Sequence, residues 1–233
     1  MKASIFIATY NKRECLSNTL YSISQQVTTF PFEVCVIDDC SVDNPEALVK
    51  EFLPDAKFKR LTKHVGLPSF QSYCCELMSP DTTVVVIQSA DVMYLGTNVL
   101  QHLCDTVRPG LFSMATVKNI QVDPNLHKNL GWIDSEDIPG WDIVKGMDIY
   151  SGQDRPGGDW LLFLGALTKE DMYKIDFDYR CCDVVLQQRM KEEGLNPVFL
   201  EEVKAIHQKH PPAHLWPCSI MDKCEYWCRR KGI

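Results

Sequence analysis

An α/β fold is predicted for this chain, a mostly parallel twisted sheet with helices on both faces, and three observations predict it. The first is Val84-Val85-Val86-Ile87, four consecutive β-branched apolar residues of the kind expected in a strand buried on both faces inside a sheet rather than at its edge. The second is the alternation of short apolar runs with stretches of helical spacing through the first half of the chain, the pattern of right-handed parallel crossovers. The third is length: 233 residues suffice for one α/β domain with a sizeable core, so a single domain over 1–233 is expected.

Composition excludes several classes. Hydrophobic residues make up 45% and charged residues 24%, ordinary globular values without low-complexity tracts or repeats. A net charge of −7 argues against a basic nucleic-acid surface, so no nucleic-acid partner is expected. No apolar run has the length of a bilayer-spanning helix, and Met1 leads directly into a strand without a signal-peptide core. A soluble, cytoplasmic protein is the expectation. The 11 cysteines are scattered and include no Cys-x-x-Cys pair, which fits buried reduced thiols in a reducing compartment better than a disulfide framework. Cys218, Cys224 and Cys228 fit no standard zinc spacing.

In chain order, Ser4-Ile5-Phe6-Ile7-Ala8 is a strand ended by the turn-forming Thr9-Tyr10-Asn11. Residues 14–26 carry Cys15, Leu16, Leu20 and Ile23 at helical spacing. Residues 32–37 form a second strand closed by Asp38 and Asp39. Adjacent carboxylates repel unless a ligand or cation offsets them, which makes the pair a site candidate; the alternative is a turn that precedes a helix near 45–52. A weak strand at 58–61, a loop containing Gly66, where the backbone can approach a ligand closely, and a helix at 69–78 lead to the central strand. That strand ends in Gln88-Ser89-Ala90-Asp91. Ligands of open α/β sheets bind past the carboxyl ends of central strands, which makes Asp91 the first site candidate; the alternative is that Ser89 and Asp91 cap a following helix. Residues 111–160, with Trp132, Trp141 and Trp160, read as a long connection with little structure of its own, a candidate lid or binding loop; the alternative for the tryptophans is ordinary packing. Ile220, Met221, Cys224, Trp227 and Cys228 have helical spacing, so a helical tail is expected over 212–233.

Four motifs carry a resemblance. Ile5-Phe6-Ile7-Ala8-Thr9-Tyr10-Asn11-Lys12 and Val36-Ile37-Asp38-Asp39-Cys40-Ser41-Val42-Asp43, followed by a strand with an acidic end, resemble the nucleotide-binding half of family 2 glycosyltransferases, which have the GT-A fold. Phe163-Leu164-Gly165-Ala166-Leu167 resembles that family's acceptor-side strand. Cys182-Asp183-Val184-Val185 with Arg189 resembles its base-carrying segment, and His207-Gln208-Lys209-His210 resembles its His-x-x-His element.

The resemblance implies a nucleotide-sugar-binding half at 1–110, an acceptor-binding and catalytic half at 111–211, and transfer of a sugar from a nucleotide-diphosphate donor, UDP-sugar favoured, to a glycan or other hydroxyl acceptor. It implies that Ala8, Tyr10 and Asp39 hold the nucleoside, with Thr9, Asp38, Gly66, Ser89 and Ala90 beside them in the donor site. Asp91 and His207 are the implied metal ligands, with His210 in reserve, and the mixed oxygen and imidazole set favours Mn²⁺ over Mg²⁺. Asp183 is the implied base of an inverting transfer. Two positions depart from the pattern: Ala90 stands where the family usually has an acidic residue, and Cys182 where it usually has Glu. Two other readings compete. A nucleotidyltransferase of related fold usually has a glycine-rich loop after the first strand, and Thr9-Tyr10-Asn11-Lys12-Arg13 has no glycine. A noncatalytic nucleotide or sugar binder is compatible with Ala90 and Cys182.

Overall fold

The computed structural model describes residues 1–64, 70–121, 164–175, 190 and 192–209. In chain order the elements are β1 (Ala3–Thr9), α1 (Arg13–Ser24), β2 (Phe32–Asp38), α2 (Glu46–Phe52), β3 (Lys57–Arg60), α3 (Phe70–Leu77), β4 (Val84–Ser89), β5 (Val92–Tyr94), α4 (Val99–Asp105), β6 (Leu111–Gln121), β7 (Leu164–Thr168), α5 (Lys169–Lys174) and β8 (Asn196–Lys209). The strands form one sheet in the order β3-β2-β1-β4-β7-β6-β8-β5.

The β-branched run lies where its burial requires, with β4 flanked by β1 and β7. Side chains alternate across the strands, and each face acquires its own core. Ile5, Ile7, Val34, Val36, Val84 and Val86 pack with α1, α2 and α4 through Leu16, Leu20, Val49 and Leu100. Phe6, Cys35, Ile37, Val85 and Ile87 face the other way and pack with Cys74 of α3, Met172 of α5 and the adjoining Met78 and Ile175. Helices thus cover both faces, as the continuous apolar runs predict.

β3, β2, β1 and β4 form a continuous parallel block. Beyond β4 the sheet is mixed: β7 runs antiparallel to β4 and β6, β8 is parallel to β6, and β5 is antiparallel to β8. β5 follows β4 after only Ala90 and Asp91, yet it stands four places away in the sheet. In a flat sheet four spacings would separate these strands by about 19 Å, whereas the three Cα steps from Ser89 to Val92 span at most roughly 11 Å. The sheet therefore curls until its last strand returns to the carboxyl end of β4. No helix follows Asp91, so the alternative of a helix cap there is overturned. Residues 111–121 are likewise β6 rather than the start of a structureless connection; their pairing with β7 and β8 is nonlocal, and no short-range pattern announces it. The lid expected within 111–160 is thereby confined to 122–160, which lies outside the described residues, as does the helix expected over 212–233.

Gly165 of β7 allows the closest contact in this half. A Cβ there would lie 2.3 Å from the ring of Phe112, itself 1% exposed on the neighbouring strand, so any larger residue would overpack the core. Among the described residues Cys40 and Cys75 are half-buried free thiols. Cys15, Cys35, Cys74 and Cys104 are buried free thiols, and burial is the main cause that pushes Cys15, Cys35 and Cys104 up to about 12, so they remain neutral. Among the described residues no helix is long and apolar enough to cross a membrane.

Glu33 locks the amino end of the sheet. Ser4 and the Ser79 N–H donate to its Oε1 at 2.7 and 2.8 Å, the Ser79 hydroxyl donates to Oε2, and Lys57 lies 3.1 Å from Oε2. Burial pushes the Glu33 carboxyl up, but the hydroxyls of Ser79 and Ser4, the Ser79 amide and Lys57 together outweigh it and hold the group at about 2. The unfolded value is about 4.3, so the carboxylate stabilises the fold above that pH and the contribution disappears as pH falls toward 2. Glu33→Gln should lower unfolding free energy at pH 7 by about 2 kcal/mol. Urea titrations from pH 7 to pH 2 should show the gap to wild type closing on the acid side; a gap that does not depend on pH would refute the assignment.

Candidate active site

The polar strand ends meet along one rim. Strand register sets Thr9 opposite Asp38 and Ala8 opposite Ser89, and the Asp39 N–H donates to the Thr9 carbonyl at 2.9 Å. Residues far apart in sequence thus share the carboxyl edge of three parallel strands, the usual ligand position in such sheets.

The two adjacent carboxylates of β2 have separate partners. Asp38 is fully buried; its Oδ1 accepts from the Ser41 N–H at 3.0 Å, and its Oδ2 lies 3.6 Å from an Arg60 guanidinium nitrogen. Arg60 also donates to the Ser41 carbonyl at 2.5 Å. The loop is further tied to the end of β1, with Asn11 N–H donating to Ser41 Oγ, Val42 N–H to Asn11 Oδ1 and Arg13 N–H to Asp43 Oδ2 at 2.8–2.9 Å. Asn11, Cys40 and Asn44 take left-handed conformations there with φ of 51°, 64° and 46°; asparagine tolerates that region better than most residues. Asp38 is therefore committed to the loop. Asp39 is also buried, and its Oδ2 lies 2.8 Å from His64 Nδ1. That contact is one of proximity, since His64 Nδ1 makes no in-line hydrogen bond. The His64 ring stacks on Tyr10 with centroids 4.0 Å apart and planes at 20°. The adjacent carboxylates are thus held apart, Asp38 beside the Arg60 guanidinium and Asp39 beside the His64 imidazole.

At the other end of the rim, Ala90 and Asp91 form the hinge between β4 and β5. Ala90 packs into the core, with its carbonyl accepting from Thr19 Oγ1 at 2.9 Å. A side chain at that position points away from the cleft, which is why the missing acid there leaves no gap. Asp91 is 1% exposed. Its Oδ1 accepts from Ser89 Oγ, its Oδ2 lies 2.5 Å from Lys12 Nζ, and His207 Nε2 is 3.5 Å from the same oxygen. Pairing of Val92 with His207 across β5 and β8 delivers the imidazole. The negative charge is felt nearby: after burial, Asp91 is the next cause raising the Cys15 thiol.

The hinge is braced from three sides. Gln208 N–H donates to the Asp91 carbonyl at 2.8 Å. The fully buried Gln208 side chain donates to the Cys15 carbonyl at 3.2 Å and accepts from Asn18 Nδ2 at 2.5 Å. Gln88 donates to the Val92 carbonyl and accepts from the Tyr94 hydroxyl at 2.8 and 2.6 Å. Helix α1, strand β8 and the hinge are thereby locked together.

A divalent cation fits this end. A carboxylate oxygen and an imidazole nitrogen 3.5 Å apart can occupy neighbouring positions on one ion, and magnesium-like ions commonly take one or two protein ligands with phosphate and water completing the shell. Among the described residues no third His, Cys, Asp or Glu joins them. Gly66, Asp183 and His210 lie outside the described residues. Lys12, His64, Arg60 and Gln208 are the site-shaping residues that sequence reasoning did not single out; Lys12 lies within a quoted motif and His64 within a noted loop, but nothing in the spacing shows which carboxylate each would meet.

A sheet of this topology with an acidic hinge at the carboxyl end of its central strand defines a GT-A-type fold of the nucleotide-sugar transferases. The chain belongs to glycosyl transferase family 2, whose sequence profile matches residues 4–128, more than half its length. Over 105 residues it is 29% identical to the uncharacterized glycosyltransferase YfnE of Bacillus subtilis, covering 44% of this chain and 26% of that protein. Over 96 residues it is 31% identical to the poly(ribitol-phosphate) β-N-acetylglucosaminyltransferase TarP of Staphylococcus aureus, covering 40% and 29%. Among solved structures, S. aureus TarS in complex with UDP-GlcNAc superposes with a TM-score of 0.62 at 16% identity over 96% of this chain and 64% of that one. The mannosyltransferase PcManGT of Pyrobaculum calidifontis, in complex with GDP-Man and Mn²⁺, gives 0.59 at 16% identity over 98% and 60%. The sequence matches thus cover less than a third of either curated relative.

Gln208→Leu keeps the volume but removes the side-chain brace to Asn18 and to the Cys15 carbonyl. Unfolding free energy should fall by about 1–3 kcal/mol. An unchanged urea midpoint would show that the brace contributes nothing.

Proposed function

We propose that this chain transfers a sugar from a nucleotide-diphosphate donor to an acceptor hydroxyl, with a UDP-sugar as the favoured donor and a divalent cation, Mn²⁺ before Mg²⁺, as cofactor. The observation that carries the reading is the placement of Tyr10 and Asp39 at one end of a shared strand rim and of Asp91 with His207 at the other, on a family 2 chain. The complexes of similar folds with UDP-GlcNAc, GDP-Man and Mn²⁺ support the same ligand classes.

Each residue has a definite task in this reading. Tyr10 offers a ring face to the base, Ala8 keeps the approach narrow, and Asp39 accepts from an imino N–H, which uracil presents and cytosine lacks. His64 shares both Tyr10 and Asp39, so it borders the base. Asp38, through the Ser41 turn, shapes the loop that positions Asp39, while Thr9, Ser89 and Ala90 supply the backbone of the rim and Gly66 a close approach. A cation held by Asp91 and His207 stabilises charge that develops on the departing diphosphate. Asp183 takes the acceptor proton, and direct attack by that acceptor inverts the anomeric centre.

Two substitutions test the roles. Asp91→Asn, close to isosteric, should weaken Mn²⁺-dependent UDP binding at least tenfold by calorimetry; undiminished binding rules out Asp91 as the metal ligand. Asp183→Asn should retain melting temperature and UDP affinity while the transfer rate falls on the order of 10²-fold or more. Transfer at the wild-type rate would refute Asp183 as base. A panel of UDP- and GDP-sugars assayed for slow hydrolysis with Mn²⁺, beside UTP and GTP each mixed with sugar 1-phosphates, separates the class readings: pyrophosphate release from the triphosphate mixtures would indicate a nucleotidyltransferase, and binding without turnover a noncatalytic binder.

A further inference from the structure

The contact between Lys12 and Asp91 carries a consequence for how cation and nucleotide enter the site. Lys12 Nζ lies 2.5 Å from Asp91 Oδ2, the same oxygen that His207 approaches. A buried carboxylate with 2% side-chain exposure needs a counter-charge, and an ammonium at this distance provides it. Lys12 itself is not locked in: its side chain is 25% exposed, and its four-carbon stem allows the ammonium to move. It also follows Tyr10 by two residues, which places it between the nucleoside end and the acidic end of the rim, where a diphosphate bridging the two would pass.

We propose that Lys12 is the resident cation of this end of the cleft: it neutralises Asp91 in the free protein, keeps a bare divalent ion out, and moves onto the diphosphate oxygens when ion and nucleotide arrive together. This rests on the donor reading given under Proposed function. Formal charge explains the order of events. Asp91 and Lys12 sum to zero, so a bare dication would enter a site with no net negative charge and would have to displace an ammonium from its ligand oxygen. The diphosphate of a nucleotide sugar carries two negative charges; with it, the set Asp91, Lys12, dication and diphosphate again sums to zero. Without Lys12 the free site would carry one negative charge and would attract the ion alone, while the full complex would be left one negative charge in excess. Lys12 thus couples the two ligands, since each binds better when the other is present.

Mn²⁺ binding followed by the electron paramagnetic resonance of the free ion, with and without UDP, tests this without any turnover. In the wild-type protein UDP should tighten Mn²⁺ binding at least tenfold. In Lys12→Met, Mn²⁺ alone should bind at least tenfold tighter than to wild type, and UDP should tighten it less. Lys12→Arg, which keeps the charge, should resemble wild type. Equal affinity for Mn²⁺ alone in wild type and a folded Lys12→Met overturns the proposal. So does a wild-type protein that binds Mn²⁺ alone as tightly as with UDP, an observation that needs no variant. If UDP binds in no arm, the uridine donor reading fails, and the Mn²⁺-alone comparison still decides whether Lys12 excludes the ion.

Discussion

A carboxylate that is 1% exposed cannot stand alone, because an isolated buried charge is far costlier than a paired one. Asp91 meets this requirement with the Ser89 hydroxyl, the Lys12 ammonium and the His207 imidazole drawn from three parts of the chain. The requirement reaches well beyond the residue. It needs β8 to return beside β5, which in turn needs the sheet to curl, and it needs α1 to begin where Lys12 faces the hinge. Gln208 holds these pieces in register by joining α1 and the hinge from its place on β8. The charge arrangement at the cleft and the architecture of the second half are therefore one problem with one solution.

The two ends of the parallel sheet differ in how their polar groups are held. At the amino end Glu33 is saturated by hydroxyls, an amide and lysines, a closed network that holds β1, β2 and the turn after α3 together. At the carboxyl end the polar groups are only partly committed. Asp38 serves the loop, whereas Asp39 meets a stacked imidazole and Asp91 a movable ammonium. Both of the latter are contacts with side chains that reach in from a loop or a flexible stem.

The comparisons follow the same division. The family profile covers residues 4–128, which contain β1 to β6 and the whole polar rim, while His207 and the brace at Gln208 arrive from β8. Similar folds accommodate different nucleotides, uridine in TarS and guanosine in the archaeal mannosyltransferase. In the function proposed for this chain, Tyr10, Asp39 and His64 would border the base, side chains on loops rather than on the sheet, where variation costs the scaffold least.

By itself the sequence determined the strands and helices of the first half, because β-branched runs and helical spacing are local signals that burial on two faces reinforces. It also determined that Asp38, Asp39 and Asp91 end strands, because an apolar run stopped by carboxylates reads the same in any register. Asp183 rests on its motif alone. Only the tertiary structure decided that Asp38 turns into its loop while Asp39 faces His64, that Ala90 points to the core, and that Lys12 and His207 converge on a single oxygen of Asp91. Those facts depend on strand order and curl, and β6, β7 and β8 pair across intervals of 40 residues and more, at which no local periodicity carries information. Side-chain direction at a hinge is settled by the strand that closes over it, and here that strand comes from the far end of the described chain.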